Sequence, residues 1–179
     1  MSKKKILDIG CGASKKPGSI GIDRLKLKGV DIVHDLDLYP YPFKTSSIDV
    51  VLAHNSIEHL DDTVSVFSEV HRILKKGGIF HIEVPHFSCC DMYKDPTHKN
   101  FFSFDTVGYF APSDPLFEFS YAPNIKFKIL NRRIVFWGTK KLFDKPQEYL
   151  FNKIPHLYER KLTWLFPAYQ IIFDLECLK

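Results

Sequence analysis

The chain has 179 residues, 45% of them hydrophobic, and a formal net charge of +4; this fits one domain, residues 1–179, with a real core, and excludes disorder. The lysines lie at both ends and in pairs rather than along one stripe, so nucleic acid is not indicated as a partner. Four cysteines without a C-x-x-C pair exclude a disulfide framework and fit a reduced, cytoplasmic protein. The lysine-rich start is not followed by the apolar run of a secretion signal, and no window reaches the length of a membrane span.

Residues 5–9 (KILDI) read as a buried strand that runs into the turn Gly10-Cys11-Gly12, and 19–23 (SIGID) as a second strand. The stretch between them, ASKKPGS, holds Pro17 and Gly18 and is too short for the crossover helix of a nucleotide-binding β-α-β unit. Residues 30–34 read as a third strand, followed by an extended loop with Pro40 and Pro42. A fourth strand, IDVVLAH (48–54), is apolar enough to be covered on both faces. Asp61 or Asp62 then caps a helix whose apolar stripe is Val66, Phe67, Val70, Ile73 and Leu74, with Arg72, Lys75 and Lys76 at its negative end and Gly77 as its stop. Residues 78–85 are a fifth strand. Strands joined by crossovers imply a parallel sheet with right-handed connections.

After Pro85 the pattern changes. Residues 86–120 are irregular and aromatic, strand patterns return around 125–137, and 168–177 alternates as a good last strand. Residues 139–167 hold an expected helix, LYERKLTWLF, and read as an insertion, as does 86–120.

In open α/β sheets ligands sit beyond the carboxyl ends of the strands. Here those ends carry Asp8 with the Gly10-Cys11-Gly12 turn, Asp23, Asp35, and His54 with Asn55. A pyrophosphate needs the helix N-terminus that this chain lacks, and a carboxylate at position 8 repels phosphate but suits a cationic group. Asp23 can accept the hydroxyls of a ribose and Asp35 an adenine amino group. The ligand implied is an adenosine that carries a positive chain and no phosphate.

At this point LDIGCG, GID, HDLDLYPYPF, SIDVVLAHNSIEHL and EVHRILKKGGIFHIEVP resemble, in order, the motifs of class I S-adenosylmethionine-dependent methyltransferases, the type 11 group in particular and within it a subgroup with a shortened first helix. The resemblance covers about residues 5–110. It implies a Rossmann-like α/β fold with a mostly parallel seven-stranded sheet and an antiparallel last strand, and S-adenosyl-L-methionine as cofactor. It places Asp8, Gly10, Cys11 and Gly12 around the methionyl part, Asp23 at the ribose with Arg24 beside it, Asp35 and Leu36 at the adenine, and His54 and Asn55 near the sulfonium. Glu58 and His59 are similar to acids and a histidine that hold a metal in some ubiquinone-pathway methyltransferases. The first acid of that set is Asn55 here, so the pair is read as a helix start and no metal is expected.

An oxygen acceptor often needs a base, and histidine is the usual one. His86, directly after the fifth strand, and His98, in an Asp-Pro-Thr-His stretch that resembles a post-strand segment of type 11 enzymes, are the catalytic candidates. The expected acceptor is a small molecule, a sugar or a lipid-linked glycan. YERKLTWLFPAY, with Arg160 and Lys161, is a candidate for peripheral contact with a membrane surface. Vicinal Cys89 and Cys90 are read as packing. A non-catalytic binding protein on the same fold and an RNA methyltransferase are the alternatives.

Overall fold

Short apolar runs bounded by glycine and acidic residues become parallel strands of one sheet. The computed structural model describes residues 4–136 and 141–179. The first three residues, the Trp137 end of the strand expected over 125–137 and the first two residues of the expected insertion 139–167 lie outside the described residues. The strands are β1 (Ile6–Ile9), β2 (Ile20–Asp23), β3 (Ile32–Val33), β4 (Ile48–His54), β5 (Leu74–Pro85), β6 (Phe127–Val135) and β7 (Gln170–Cys177), in the spatial order β3-β2-β1-β4-β5-β7-β6. The pairs among β1 to β5 are parallel, and β7 runs antiparallel to both β5 and β6. The order reverses between β1 and β4, which makes the crevice above that pair the natural ligand site.

No helix stands between β1 and β2, as the Pro17-Gly18 loop requires. Among the described residues the one α-helix that joins neighbouring parallel strands is α1 (Thr63–Ile73), between β4 and β5, and a short α2 (Cys90–Lys94) follows β5. Asp62 caps it by accepting from Val64 N, while Asp61 instead pairs with Lys99. Its buried face is Val66, Phe67, Val70 and Ile73. Phe67 meets Phe80 of β5, stacks on Phe110 at 4.0 Å and meets Phe127 of β6. The aromatic segment after β5 is thus a second layer under the sheet. Phe102, Val107 and Phe110 are buried in it, and two 3-10 turns, Thr106–Phe110 and Pro115–Phe119, carry the chain across.

Two expected boundaries move. The helix ends at Ile73, not at Gly77: Leu74 is extended and pairs with Ile48 of β4, and the last-turn carbonyls are taken by Ser46 N, Ser47 N and the Lys179 ammonium. The insertion holds α3 (Lys141–Lys153), missed because Pro146 lies inside it. The expected helix over 157–166 is only the short α4 (Pro155–Leu157) followed by a wide π-type turn over Tyr158–Leu162.

Side-chain alternation separates the two faces of the sheet. Phe80, Ile82 and Val84 are buried against α1 and the aromatic layer. The opposite face carries Asp8, Leu52, His81 and Asp174, which stand side by side in cross-strand register, with His54 and Glu83 in the next row.

Candidate active site

The turn after β1 is held by its own carboxylates. Asp8, buried at the end of the strand, accepts from Lys16 N at 2.8 Å and so folds the short loop back over itself. Asp23 accepts from Gly12 N through one oxygen and from Leu25 N through the other, both at 2.9 Å. Asp31 ties the loop from outside: it accepts from Lys15 Nζ and Gly21 N, and the Lys15 hydrogen bond is the main cause of its lowered pKa. Gly10 and Gly12 have φ of +63° and +52°. A Cβ on Gly10 would stand 2.4 Å from Ser56 Cβ, whereas one on Gly12 would meet nothing within 4 Å. The turn is therefore closed beneath Gly10 and open above Gly12.

The other predicted cofactor residues take their places around this turn. His34 N donates to Asp23 O, which sets the end of β3 beside that of β2. Asp35 is exposed and accepts from Asp37 N, while Leu36 is turned into the core, its carbonyl accepting from Tyr41 Oη. Tyr41 and Phe43 are in turn clamped to α1 through Glu69 and Arg72. Arg24 is exposed. The thiol of Cys11 is pushed up to about 11, by burial first and then by the carboxylates of Asp8 and Asp23. His54 Nδ1 lies 3.9 Å from Asp8 Oδ1; that nitrogen and Ser56 Oγ are buried without a hydrogen-bond partner. Such orphaned atoms are costly unless something else satisfies them.

Asn55 (φ +46°) links the turn to a cavity of about 570 Å³. Its lining includes Glu58 and His59 from the 3-10 turn Ile57–His59, Cys89, Asp95 and His98 from the segment after β5, and Tyr169 and Gln170 at the start of β7. The Glu58 carbonyl accepts from Lys99 N and Asn100 N, and Asn100 Nδ2 donates to Leu60 O, so the two segments are sewn together by backbone. The Glu58 side chain is fully buried and neither carboxylate oxygen has a partner. Burial pushes its pKa up to about 7, with Asp95 adding to the shift. His59 is lowered by burial and by His98.

The two candidate histidines part company. His98 lines the cavity; its Nδ1 lies 3.0 Å from Met92 O, and its ring is 4.5 Å from that of His59. His86 is fully buried and outside that lining. Ser88 N donates to its Nδ1, and its Nε2 meets Glu159, which also accepts from Phe104 N. Cys89 is buried with its thiol pKa raised by burial, and Cys90 is exposed. The family resemblance draws attention to Glu58 and His59, read as a helix start; only the fold brings His98 to them.

A model described as a methyltransferase domain matches residues 17–82, somewhat over a third of the chain. A Mycolicibacterium smegmatis protein described as a probable S-adenosylmethionine-dependent methyltransferase is 32% identical over 100 residues, 46% of this chain and 38% of its own. The chain thus matches less than half the length of that curated relative. An S-adenosylmethionine-dependent methyltransferase from Archaeoglobus fulgidus superposes with a TM-score of 0.62 over 97% of this chain and 86% of its own, at 20% identity. Over these segments the chain is similar to S-adenosylmethionine-dependent methyltransferases of the type 11 group, and its fold is that of the class I methyltransferases. A Haemonchus contortus phosphoethanolamine N-methyltransferase, solved with phosphomonomethylethanolamine and S-adenosylhomocysteine, shares the methyltransferase fold at a TM-score of 0.57 and 15% identity, over 99% of this chain and 49% of its own. In this chain the link between β1 and β2 holds no helix.

Proposed function

We propose that the chain binds S-adenosyl-L-methionine over the β1–β2 turn and methylates an acceptor held in the cavity beside Asn55. The observation that carries this reading is the open space above Gly12, flanked by Asp8 and Asp23 and by the orphaned His54 Nδ1 and Ser56 Oγ. These residues fit the group. Each Asp23 carboxylate oxygen accepts from one backbone N–H and keeps a lone pair for a ribose hydroxyl. Asp8 supplies negative charge near a cationic chain, and Gly10 and Gly12 let the backbone approach it closely. Cys11 and Arg24 flank the turn, Asp35 is free to accept from the adenine, and Leu36 offers it backbone only. The cofactor supplies an electrophilic methyl group on a sulfonium. The chain's part is to align the acceptor with it, a contribution worth several kcal/mol when the geometry is right. His98, rather than His86, is the candidate histidine available to that acceptor.

A lipid-carried acceptor is favoured over a free sugar by one feature. Leu157, Trp164 and Leu165 are exposed, as are Arg160 and Lys161 in the same stretch, and Trp164 packs on Phe87, which lies in the chain between the cavity-lining Pro85 and Cys89. Incubating the protein with methyl-labelled S-adenosylmethionine and separate lipid and water-soluble extracts tests this. Label in the lipid phase supports it; label only in the aqueous phase contradicts the lipid class; no transfer with cofactor bound favours the non-catalytic alternative.

A further inference from the structure

The sheet face opposite α1 gathers two histidines and a carboxylate outside the cavity. Alternation puts His81 and Glu83 of β5 on that face, while His54 of β4 stands beside Glu83 and Asp174 of β7 beside His81. Asp174 takes the Nδ1 hydrogen of His81 at 2.6 Å and is itself held by Asn131 Nδ2 of β6 at 3.1 Å. A neutral imidazole has one hydrogen only, so His81 Nε2 then turns a lone pair to Glu83 Oε1 at 3.0 Å. Two acceptors at that distance repel, and the pair calls for a cation between them. His54 Nε2 lies 3.8 Å from the same Glu83 oxygen, and its buried, unpartnered Nδ1 faces Asp8 Oδ1 at 3.9 Å. His54, His81 and Glu83 each offer one ligand atom, and these atoms lie within 4.8 Å of one another.

We infer that His54, His81 and Glu83 form a binding site for one divalent transition-metal ion, of the zinc or cobalt(II) type, on the sheet surface beside Asp8. Two imidazoles and one carboxylate are a donor set such ions take, softer than the all-oxygen shell of magnesium or calcium. Asp174 behind His81, with Asn131 behind Asp174, is the outer hydrogen-bonded support that fixes a ligating imidazole. All these side chains stand on neighbouring strands whose register sets their spacing, so little has to move when the ion binds. His54, His81 and Glu83 are 19%, 23% and 30% exposed, so the rest of the coordination shell faces water. Bound through Nε2, His54 would keep its hydrogen on Nδ1, toward Asp8, and so join the ion to the floor of the β1–β2 turn.

What the ion does for a cofactor over that turn rests on the methyl-transfer reading, but its binding does not. Chelator-treated protein titrated with cobalt(II), without S-adenosylmethionine or acceptor, should take up the ion with a visible ligand-field band, and zinc should displace it. His81→Gln and Glu83→Gln should each remove one equivalent of uptake. Asp174→Asn, which takes away only the charge behind His81, should weaken binding roughly 10- to 100-fold, and it keeps the test open if the other variants do not fold. His98→Gln, in the cavity, should keep the equivalent that His81→Gln loses. Absence of saturable cobalt(II) uptake by the wild type, uptake that survives intact in His81→Gln, or unchanged affinity in Asp174→Asn would overturn the assignment. Cofactor binding without ion uptake would overturn the ion site alone. Ion uptake in a protein that fails to bind S-adenosylmethionine would remove the methyl-transfer reading and leave the ion site standing.

Discussion

The rim beyond β1 to β3 and the cavity beyond β4 and β5 lie next to each other and are built in opposite ways. The rim is local. Asp8 holds Lys16 N, Asp23 holds Gly12 N, and Asp31 holds Gly21 N, all across a short stretch of chain. The cavity is assembled from residues as far apart as Asn55, His98 and Tyr169, and its wall rests on an aromatic layer that contacts α1. A site made of side chain to backbone bonds can keep its shape without a helix behind it; a site made of distant segments depends on the packing beneath.

That contrast can be broken at several points. Phe67→Ala removes the ring shared by β5, Phe110 and Phe127, and should cost about 3–5 kcal/mol in urea unfolding. If the rim is local, cofactor affinity of the folded fraction should change little. Gly10→Ala forces a Cβ onto Ser56 in a left-handed conformation and should cost at least about 2 kcal/mol, and it should also lower cofactor affinity. Gly12→Ala meets open space and should cost only about 1–2 kcal/mol, the conformational part. Equal costs at the two glycines would argue against the packed floor under the turn.

Cys11 gives a smaller, pH-dependent test. The native state holds its proton more tightly than the unfolded chain, so its contribution is present below about pH 9, the ordinary thiol value of 9.0, and is lost as the pH rises through about 11. Wild type should therefore lose more stability than Cys11→Ala across that interval, as followed by denaturation midpoints. The smallest effect on stability is expected from Trp164→Ser and Leu165→Ser, within about 0.5 kcal/mol, while sedimentation with anionic phosphatidylglycerol vesicles should fall. Unaltered sedimentation would remove the lipid-surface reading.

The same contrast governs what the sequence disclosed. The strand ends were legible because an apolar run, a glycine pair and an acid follow one another directly, and the missing helix was legible because Pro17 and Gly18 forbid it. The end of α1 was not, because Leu74 leaves the helix to pair with Ile48 and Lys179 covers the last carbonyls, both tertiary events. Pro146 concealed α3, being tolerated inside a helix against its usual effect. His98 beside Glu58 was hidden for a similar reason: Lys99 N and Asn100 N donate to the Glu58 carbonyl, and no periodicity encodes that meeting.

The central claim is that the helix-free turn, with Asp23, still forms a cofactor site. Calorimetric titration of wild type and Asp23→Ala with S-adenosylmethionine and S-adenosylhomocysteine tests it most directly. The account predicts saturable binding to the wild type that weakens by about 1–3 kcal/mol in the variant, through lost hydrogen bonds to the ribose and to the turn. Equal affinity in both proteins, or no binding of either ligand to the wild type, would contradict it.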